Sequence, residues 1–355
     1  MPGKENLRVT VIVPCRNEIR HIRKFLDSVV GQQVTEMDLE ILVADGMSGD
    51  GTREILAEYQ RECPALRVID NPQKIVSTGL NAAIREARGE IIVRMDAHTE
   101  YATDYIQCCV QVMRETDAEN VGGPALTRAD GYLAQAIAHG FHSRFASGGA
   151  KFHNARYEGI VDTVTYGCWR KSTLFQLGLF DEDLYRSQDD ELNMRIRSSG
   201  GKIWQSPRIV SWYRPRSTLG ALSRQYFQYG FWKVAVIRKH GKPASLRNLV
   251  PGASLLASLI LLLGILGAAL AGSSRWEFEF LTILSLFTGL YFAISLTAAF
   301  LVARRRGWRF LPVLPPVFAT YHLSYALGFL LALACRPMAW DRPSYLRKVL
   351  TTITR

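Results

Sequence analysis

Asp96 and His98 are separated by one residue and follow a short apolar segment of the sequence. At the end of a strand, a carboxylate and an imidazole with this spacing can face one cleft. Together they can hold a divalent cation such as Mg²⁺ or Mn²⁺ and leave coordination positions for diphosphate oxygens. The alternative is an exposed aspartate followed by a histidine that caps the next helix. The tripeptide alone does not decide between a metal site and a cap.

A second group of acidic residues lies between Asp181 and Glu191 and includes Asp189. Leu192 and Ile196 have the spacing of one buried helix face, which predicts a helix that begins near Asp189. The helix dipole stabilises carboxylates in a first turn, and this alone explains part of the pattern. A general base must also stay ionised at neutral pH, so Asp189 is a candidate for that role as well.

Two further polar segments follow apolar runs near the N-terminus. The first is PCRNE, residues 14–18, and the second is DGMSGDGT, residues 45–52. The second segment is also typical of a glycine-rich turn in which Asp50 or Thr52 caps a helix. Neither the G-x-G-x-x-G dinucleotide fingerprint nor a P-loop is present, which disfavours a dehydrogenase and an ATPase.

Alternating strand and helix patterns must position these residues. Periodicity predicts strands over 9–13, 39–44, 66–69 and 90–95, and helices over 19–30, 52–59 and 78–87. Such alternation predicts an α/β domain with a mainly parallel sheet covered by helices. Ligands of such sheets bind beyond the carboxyl ends of the strands, where the polar segments come.

The C-terminal part of the 355-residue chain has a different composition. Uncharged stretches cover 250–272, 280–303 and 311–335. As a helix, the first would be roughly 34 Å long, enough to cross a bilayer core. The third contains three prolines and His322, so we expect either a third span or a re-entrant hairpin. The sequence therefore predicts two to three spans.

Charge predicts the orientation of these spans, within a net charge of +11. Basic residues precede the first span and follow the second, which places both flanks in the cytoplasm. A basic tail with Arg342, Arg347, Lys348 and Arg355 ends the chain. No secretory signal is recognisable at the start, and the six cysteines show no zinc or disulfide pattern. We therefore expect a multi-pass inner-membrane protein whose N-terminal domain is cytoplasmic.

Basic and aromatic residues alternate just before the first span, between Tyr213 and Lys239. This mixture is typical of an amphipathic helix on an anionic membrane surface. Nucleic-acid binding is the rival interpretation of such a segment. The adjacent span favours the membrane, so no nucleic-acid partner is expected. The predicted division is a domain over 1–215, interfacial helices over 216–249 and a membrane region over 250–355.

The order of motifs resembles the family 2 inverting glycosyltransferases of the GT-A fold, in particular membrane-anchored bacterial enzymes of exopolysaccharide assembly. The motifs are VIVPCRNE, VADGMSGDGT, GEIIVRMDAHT, GLFDEDLYRSQDDELNMR and QYGFW. The resemblance extends over about residues 7–239. It implies a nucleotide-diphospho-sugar transferase domain with a Rossmann-like mixed sheet, followed by transmembrane helices.

For the donor site, the resemblance implies that Pro14, Arg16 and Glu18 line the nucleotide cleft. Asp45 would recognise the base, usually uracil, and Asp96 would lie near the ribose and the metal. His98 stands where most members have a second aspartate, and it would be a ligand of Mn²⁺ or Mg²⁺ together with Asp96.

For the acceptor side, the resemblance implies that Asp189 is the catalytic base, with Gln188 in place of the usual glutamate. Gln228 and Trp232 match the ends of the Q-x-x-R-W motif and would belong to an acceptor or active-site loop. Phe231 replaces the arginine of that motif, which favours transfer of one sugar over processive synthesis.

The expected reaction moves one sugar from a nucleotide sugar, in the first place a UDP-hexose, to a lipid-linked saccharide, with inversion at the anomeric carbon. The alternatives within enzymes are a polyprenyl-phosphate glycosyltransferase and a processive polysaccharide synthase. A nucleotide-sugar binder without activity would not need Asp189. A transporter would need intramembrane polar residues, and the spans offer little beyond His322.

Overall fold

The computed structural model describes residues 6–335. Within this range the chain forms two compact units, which are described separately. The first contains the described residues through Arg128 together with Lys151–Arg214, and the second contains Ala129–Ala150 and the described residues from Pro215 onward. The predicted three-part division stays a prediction, and the basic tail lies outside the described residues.

The elements follow one another in this order: β1 (Leu7–Cys15), α1 (Ile22–Val30), β2 (Met37–Asp45), α2 (Thr52–Glu62), β3 (Leu66–Asp70), α3 (Val76–Glu86), β4 (Ile91–Arg94), β5 (Glu100–Tyr101), α4 (Tyr105–Thr116), β6 (Asn120–Gly123), β7 (Leu126–Thr127), α5 (Tyr132–Phe141), α6 (Arg144–Ser147), β8 (Gly159–Ile160), β9 (Thr165–Arg170), α7 (Lys171–Gln176), α8 (Gln188–Ser198), β10 (Ile203–Gln205), β11 (Ser211–Tyr213), α9 (Leu219–His240), α10 (Val250–Leu270), α11 (Ser274–Arg306) and α12 (Leu314–Ala334).

The first unit contains an eight-stranded sheet in the order β3-β2-β1-β4-β9-β6-β10-β8. The first four strands are parallel, as predicted, whereas β9 runs antiparallel to both of its neighbours. The sheet is therefore mixed, as the GT-A resemblance implies. A small second sheet joins β5, β11 and β7.

Apolar side chains cover both faces of the large sheet. On one face the core contains Val9, Val11 and Val13 of β1 with the buried sides of α1, α2 and α4. On the other face Ile12 packs with residues of α3, α7 and α8. The alternation along β1 follows the period of two expected for a strand buried on both sides.

The first predicted helix begins three residues later than expected, at Ile22. The side chain of Ile19 is exposed, and its backbone N–H donates to Asp50 Oδ2 at 3.2 Å. Ile19 therefore belongs to the loop after β1 although its apolar character suggests a helix face.

In the second unit, α10, α11 and α12 are each long and apolar enough to cross a membrane. The third stretch forms one continuous helix and not a hairpin. Its Pro315 and Pro316 lie in the first turn, where backbone N–H groups have no intrahelical partner. His322 is satisfied on both ring nitrogens, by Tyr291 Oη at 3.1 Å and by the carbonyl of Phe145 at 2.9 Å.

The basic and aromatic segment before the first span forms α9, which packs along α12. Gly230 of α9 and Gly328 of α12 lie at the point of closest approach, where a Cβ on either residue would overlap a backbone carbonyl of the other helix. Phe231 and Val234 of α9 are buried. The prediction of a helix is confirmed, but one side of this helix packs against protein.

Residues 129–150 form α5 and α6 and pack against α11 and α12. Ala136 and Ile137 share a buried cluster with Val317 and Phe318 of α12. The hydroxyl of Tyr321 donates to the carbonyl of Ile137 at 3.0 Å. This part of the chain therefore folds with α9–α12, although its sequence position is between β7 and β8.

Candidate active site

The carboxyl ends of the first strands align at one edge of the large sheet. The register pairs Cys15 with Asp45, Asp45 with Asp70, and Ile12 with Arg94. The loops that follow β1, β2 and β4 therefore leave the sheet from the same edge. This is the edge at which open α/β sheets bind ligands.

Hydrogen bonds join the loop after β1 to the loop after β2. The N–H of Asn17 donates to Ser48 Oγ at 2.8 Å, and the N–H of Glu18 donates to Thr52 Oγ1 at 2.9 Å. Gly49 N–H donates in return to Asn17 Oδ1 at 3.1 Å. These bonds hold the segment that contains Pro14, Arg16 and Glu18. Of these three predicted site residues, Arg16 is exposed and the other two are half-buried.

Asp45 is fully buried at the end of β2. Its carboxylate accepts hydrogen bonds from Ser48 N and Oγ at 3.1 and 2.5 Å and from Arg53 Nη1 at 2.9 Å. Arg53 also donates to Asp70 Oδ1 at 2.8 Å. Asp45 is thus held inside the loop after β2 with no exposed side-chain surface, and its predicted role in base recognition stays a prediction.

Asp50 fixes the turn that follows Asp45. Its carboxylate accepts from Thr52 Oγ1 at 2.6 Å and from Thr52 N at 3.1 Å. The hydrogen bond from the Thr52 hydroxyl is the main cause that lowers the pKa of Asp50. Asp50 and Thr52 are therefore structural residues of this turn, as predicted, but the N-cap position of α2 is Gly51 and neither of these two.

An open groove of about 540 Å³ is lined by residues of α2 and β3 and contains none of the predicted site residues. It borders the predicted site through Arg53, the partner of Asp45. The groove is lined by Arg53, Glu54, Ala57, Gln60, Val68 and Asp70.

Arg94 binds Asp96 through two hydrogen bonds at the end of β4. Nε donates to Oδ1 at 3.0 Å and Nη2 donates to Oδ2 at 3.2 Å. Burial lowers the pKa of Arg94, but the negative charges of Asp96 and Asp189 outweigh burial and raise it. Arg94 is thus a buried, charged group on which both predicted catalytic-site carboxylates act.

His98 lies on the loop after β4 and is half exposed. Its Nδ1 is 3.6 Å from Glu18 Oε1, so the loops that follow β1 and β4 meet here. Among residues 6–335 no three His, Cys, Asp or Glu side chains converge as a metal site. The carboxylate of Asp96 and the imidazole of His98 suit a divalent cation chemically, but substrate oxygens would have to complete its coordination.

Asp189 lies in the first turn of α8, after Ser187 in a left-handed conformation. The prediction of a helix starting here is confirmed, and Leu192 and Ile196 are buried as expected. Asp189 is half-buried. Asp189 and Asp96 both interact electrostatically with Arg94, so the two carboxylates lie in the same region of the first unit.

The neighbouring Glu191 has a structural role. It is fully buried and binds Arg195 with contacts of 2.7 and 3.0 Å. Arg195 also donates to the carbonyls of Leu177 and Leu179. The pair therefore links the turn before Phe180 to α8. Glu191 is thus a structural residue, whereas Asp189 stays the candidate base.

Sequence reasoning missed Asn81 of α3, which holds the segment leading to α8. Asn81 Oδ1 accepts from Phe180 N at 2.9 Å, and Asn81 Nδ2 donates to Phe180 O at 2.8 Å. Nδ2 also donates to Glu182 Oε1 at 2.9 Å. Asn81 shares the buried face of α3 with the polar Ser77 and Thr78, so its residue type alone did not single it out.

Tyr166 is a second residue that sequence reasoning missed. It lies at the start of β9 with a φ of 65°, and its hydroxyl hydrogen-bonds with Thr99. Burial raises the pKa of Tyr166, and the charge of Asp96 adds to this effect. Left-handed backbone in a non-glycine residue is uncommon and concentrates at functional sites.

The predicted acceptor-side residues Gln228 and Trp232 belong to the second unit. Both are buried inside the continuous helix α9 and do not lie on a loop. Their position in a helix is compatible with the absence of proline between Leu219 and His240. Their predicted role stays a prediction.

The first unit has the architecture of a GT-A-like domain, and comparison with solved structures supports this class. A mannosyltransferase from Pyrobaculum calidifontis, solved in complex with GDP-Man and Mn²⁺, superposes with a TM-score of 0.58 at 20% identity, over 91% of this chain and 86% of that chain. At this identity the likeness shows the fold.

Residues 10–176 match the profile of Glycosyl transferase family 2. The succinoglycan biosynthesis protein ExoA of Rhizobium meliloti is 30% identical over 243 residues, which are 68% of this chain and 73% of that relative. The chain belongs to glycosyltransferase family 2. A relative from Methanococcus voltae, named dolichyl N-acetyl-alpha-D-glucosaminyl phosphate 3-beta-D-2,3-diacetamido-2,3-dideoxy-beta-D-glucuronosyltransferase, is 28% identical over 65% of this chain and 74% of its own length.

Proposed function

We propose that the protein is a membrane-bound inverting glycosyltransferase that moves one sugar from a nucleotide sugar, in the first place a UDP-hexose, to a lipid-linked saccharide. The product would enter exopolysaccharide or cell-surface glycan synthesis. One observation carries this proposal: at the carboxyl edge of the sheet the buried Arg94 binds Asp96 through two hydrogen bonds and also interacts electrostatically with Asp189. Two carboxylates from distant parts of the sequence thus share one neighbourhood.

In the proposed reaction Asp189 takes the proton of the acceptor hydroxyl. The acceptor oxygen attacks the anomeric carbon from the face opposite the leaving nucleoside diphosphate, and the configuration inverts. Asp96 and His98 would hold Mn²⁺ or Mg²⁺, which when bound would supply positive charge to neutralise the leaving group. Arg16 is exposed on the loop after β1, where it can add positive charge for the diphosphate.

The comparisons support the two substrate classes. The name of the Methanococcus voltae relative specifies a dolichyl-linked sugar phosphate, and that of the Rhizobium meliloti relative specifies succinoglycan biosynthesis. The Pyrobaculum calidifontis structure holds a nucleotide sugar and Mn²⁺. The three apolar helices support a membrane location, which suits a lipid-linked acceptor.

The test is transfer by the full-length protein in detergent, with a panel of UDP and GDP sugars, Mn²⁺ and a membrane lipid extract as acceptor. Asp189→Asn should lose transfer by about 10²-fold or more while still binding the donor, since loss of a general base costs about 10²–10⁴ in rate. Asp190→Asn is the matched control in the same helical turn and should stay active. Equal transfer by the wild type and Asp189→Asn would remove the base assignment.

Product analysis separates the proposed acceptor from the other enzyme classes. A product one hexose longer than a lipid-linked saccharide supports the proposal. A sugar joined directly to a lipid phosphate would mean a polyprenyl-phosphate glycosyltransferase, and a long polymer would mean a processive synthase. Donor binding without transfer in any variant would favour the inactive binder.

A further inference from the structure

The end of α11 and the turn after it carry a cluster of positive charge. We call Arg304, Arg305, Arg306 and Arg309 the arginine cluster; all four are exposed. The sequence contains no acidic residue between Glu279 and Asp341. The cluster is therefore not balanced by carboxylates of its own part of the chain.

An aromatic platform holds one member of the cluster in place. The guanidinium of Arg309 lies 4.7 Å from the ring centre of the buried Phe310, and its Nη2 donates to Gln135 Oε1 at 2.9 Å. The ring of Tyr132 stacks on the ring of Phe310, with ring centres 5.4 Å apart, and completes the platform. Arg309 is thus ordered before any ligand arrives, which lowers the entropy lost on binding.

His139 of α5 reports on the electrostatic potential at this place. Its ring lies edge-on to Phe310 at 4.9 Å. The pKa of His139 is lowered to about 4, mainly by burial and in addition by the positive charges of Arg306, His142 and Arg309. Asp130 is the one acidic residue in the segment 129–150 that contains His139. The positive charges of Arg306 and Arg309 therefore reach the side chain of His139.

Trp308 places this cluster at the depth of lipid headgroups. Its side chain is exposed and contacts Phe300 on the last turns of α11, with ring centres 5.3 Å apart. Tryptophan is enriched where a membrane span meets the headgroup region, because its ring is apolar at one side and polar at the other.

We propose that the arginine cluster binds the phosphate of a membrane lipid headgroup. Guanidinium groups bind phosphate oxygens through paired, charge-assisted hydrogen bonds, which match the planar fork of arginine. The apolar α11 next to the cluster would accompany the acyl or prenyl chain of the same lipid. Two sources offer this chemistry, an anionic phospholipid and a polyprenyl diphosphate.

The test measures lipid retained by the full-length protein in detergent, without donor or acceptor turnover. Phosphatidylglycerol, polyprenyl diphosphate, phosphatidylcholine and inorganic phosphate are titrated separately, and bound molecules are counted by native mass spectrometry. The double variant Arg306→Gln/Arg309→Gln should bind the anionic lipids about 30-fold more weakly, since each arginine near an anionic headgroup contributes about a factor of five. Arg275→Gln, at the opposite end of α11 and paired with Glu279 at 3.0 Å, is the control and should bind normally.

Either anionic lipid supports the proposal, and a polyprenyl diphosphate affinity at least about tenfold above that of phosphatidylglycerol would identify the carrier lipid as the ligand. Equal lipid affinity in the wild type and the double variant overturns it. So does binding of free phosphate without retention of either lipid. Because no sugar transfer is measured, failure of the proposed enzymatic function would leave this result unaffected.

A second measurement needs no variant of the cluster. In the wild-type protein the pKa of His139, about 4 without ligand, should rise when a phosphate neutralises Arg306 and Arg309. Histidine side-chain NMR, assigned with His139→Gln, follows this change on addition of phosphatidylglycerol or polyprenyl diphosphate. An unchanged His139 titration under saturating lipid contradicts binding at this cluster.

Discussion

At the scale of single residues, Arg94 links the two carboxylates on which the proposed reaction depends. Its two hydrogen bonds fix the orientation of Asp96, and its positive charge attracts the carboxylate of Asp189. Arg94 does not touch substrate in the proposed reaction, so it is a positioning residue for Asp96 and Asp189. Its effect should be visible in how activity depends on pH.

Arg94→Gln should move the acidic limb of the pH–rate profile to higher pH by about one unit, since an opposite charge nearby lowers a carboxyl pKa by 1–3 units. Arg94→Lys keeps the charge and should keep the limb near its wild-type position, although it loses the paired hydrogen bonds. Transfer rates between pH 5 and 8 measure the shift, and melting curves show whether each variant folds. A rate loss without any displacement of the limb would mean that Arg94 acts through structure alone.

Local patterns predicted the polar groups that directly follow strands, but they did not predict the groups that hold them. Asp96 and Asp189 are recognisable because each comes at an element boundary. Arg94 lies two residues before Asp96 and therefore on the same side of the strand, a signal that was available. Tyr166 reaches Thr99 only because β9 inserts antiparallel between β4 and β6, a long-range pairing that no local period encodes.

At the scale of elements, Glu100 on β5 ties together the small sheet of the first unit. Its carboxylate binds Arg214 at 2.7 Å, Arg128 at 2.5 Å and Lys24 at 3.3 Å. Arg128 also stacks over Trp212 of β11 at 3.8 Å. The segments that lead out of β7 and β11 are thus held by one carboxylate.

Glu100→Gln should lower stability by about 1–2 kcal/mol at neutral pH, within the range for hydrogen bonds to charged groups and reduced for partial exposure. The hydrogen bond from Arg214 is the main cause that lowers the pKa of Glu100 from 4.5 to about 2. A lowered pKa stabilises the fold above the unfolded value, and this stabilisation is lost as the pH falls from 4.5 towards 2. Thermal melts from pH 7 to pH 3 should show the two proteins converging, and a constant difference would contradict this cause.

The crossing of α9 and α12 depends on two glycines. Gly230→Ala or Gly328→Ala should destabilise the second unit by about 1–3 kcal/mol or more, because the added methyl meets a backbone carbonyl that cannot move aside locally. Gly220→Ala is the matched control in α9, where a Cβ meets nothing within 4 Å. The melting temperatures of the three full-length variants in detergent are compared. Equal melting temperatures for Gly220→Ala and Gly230→Ala would mean that α9 and α12 accommodate the added methyl without loss of stability.

At the scale of the whole molecule, the chain order differs from the grouping of its elements. Composition correctly separates an α/β part from apolar helices that are long enough to span a membrane. It does not show that Ala129–Ala150 folds with those helices. The reason is physical: the buried side of α5 is apolar but short, and only its contacts with Val317 and Phe318 identify its partner.

This grouping predicts that the first unit alone would carry an uncovered apolar segment. A chain ending at Arg214 would leave Ala136 and Ile137 of α5 without the α12 residues that bury them, so we expect it to aggregate. Replacing 129–150 by a short Gly-Ser linker should restore a soluble, monomeric first unit. The ends to be joined are close, since Ala125 N donates to Phe152 O at 2.9 Å. Size-exclusion chromatography of the two truncated proteins decides the matter, and aggregation that persists after the replacement would show that the apolar surface lies elsewhere in the first unit.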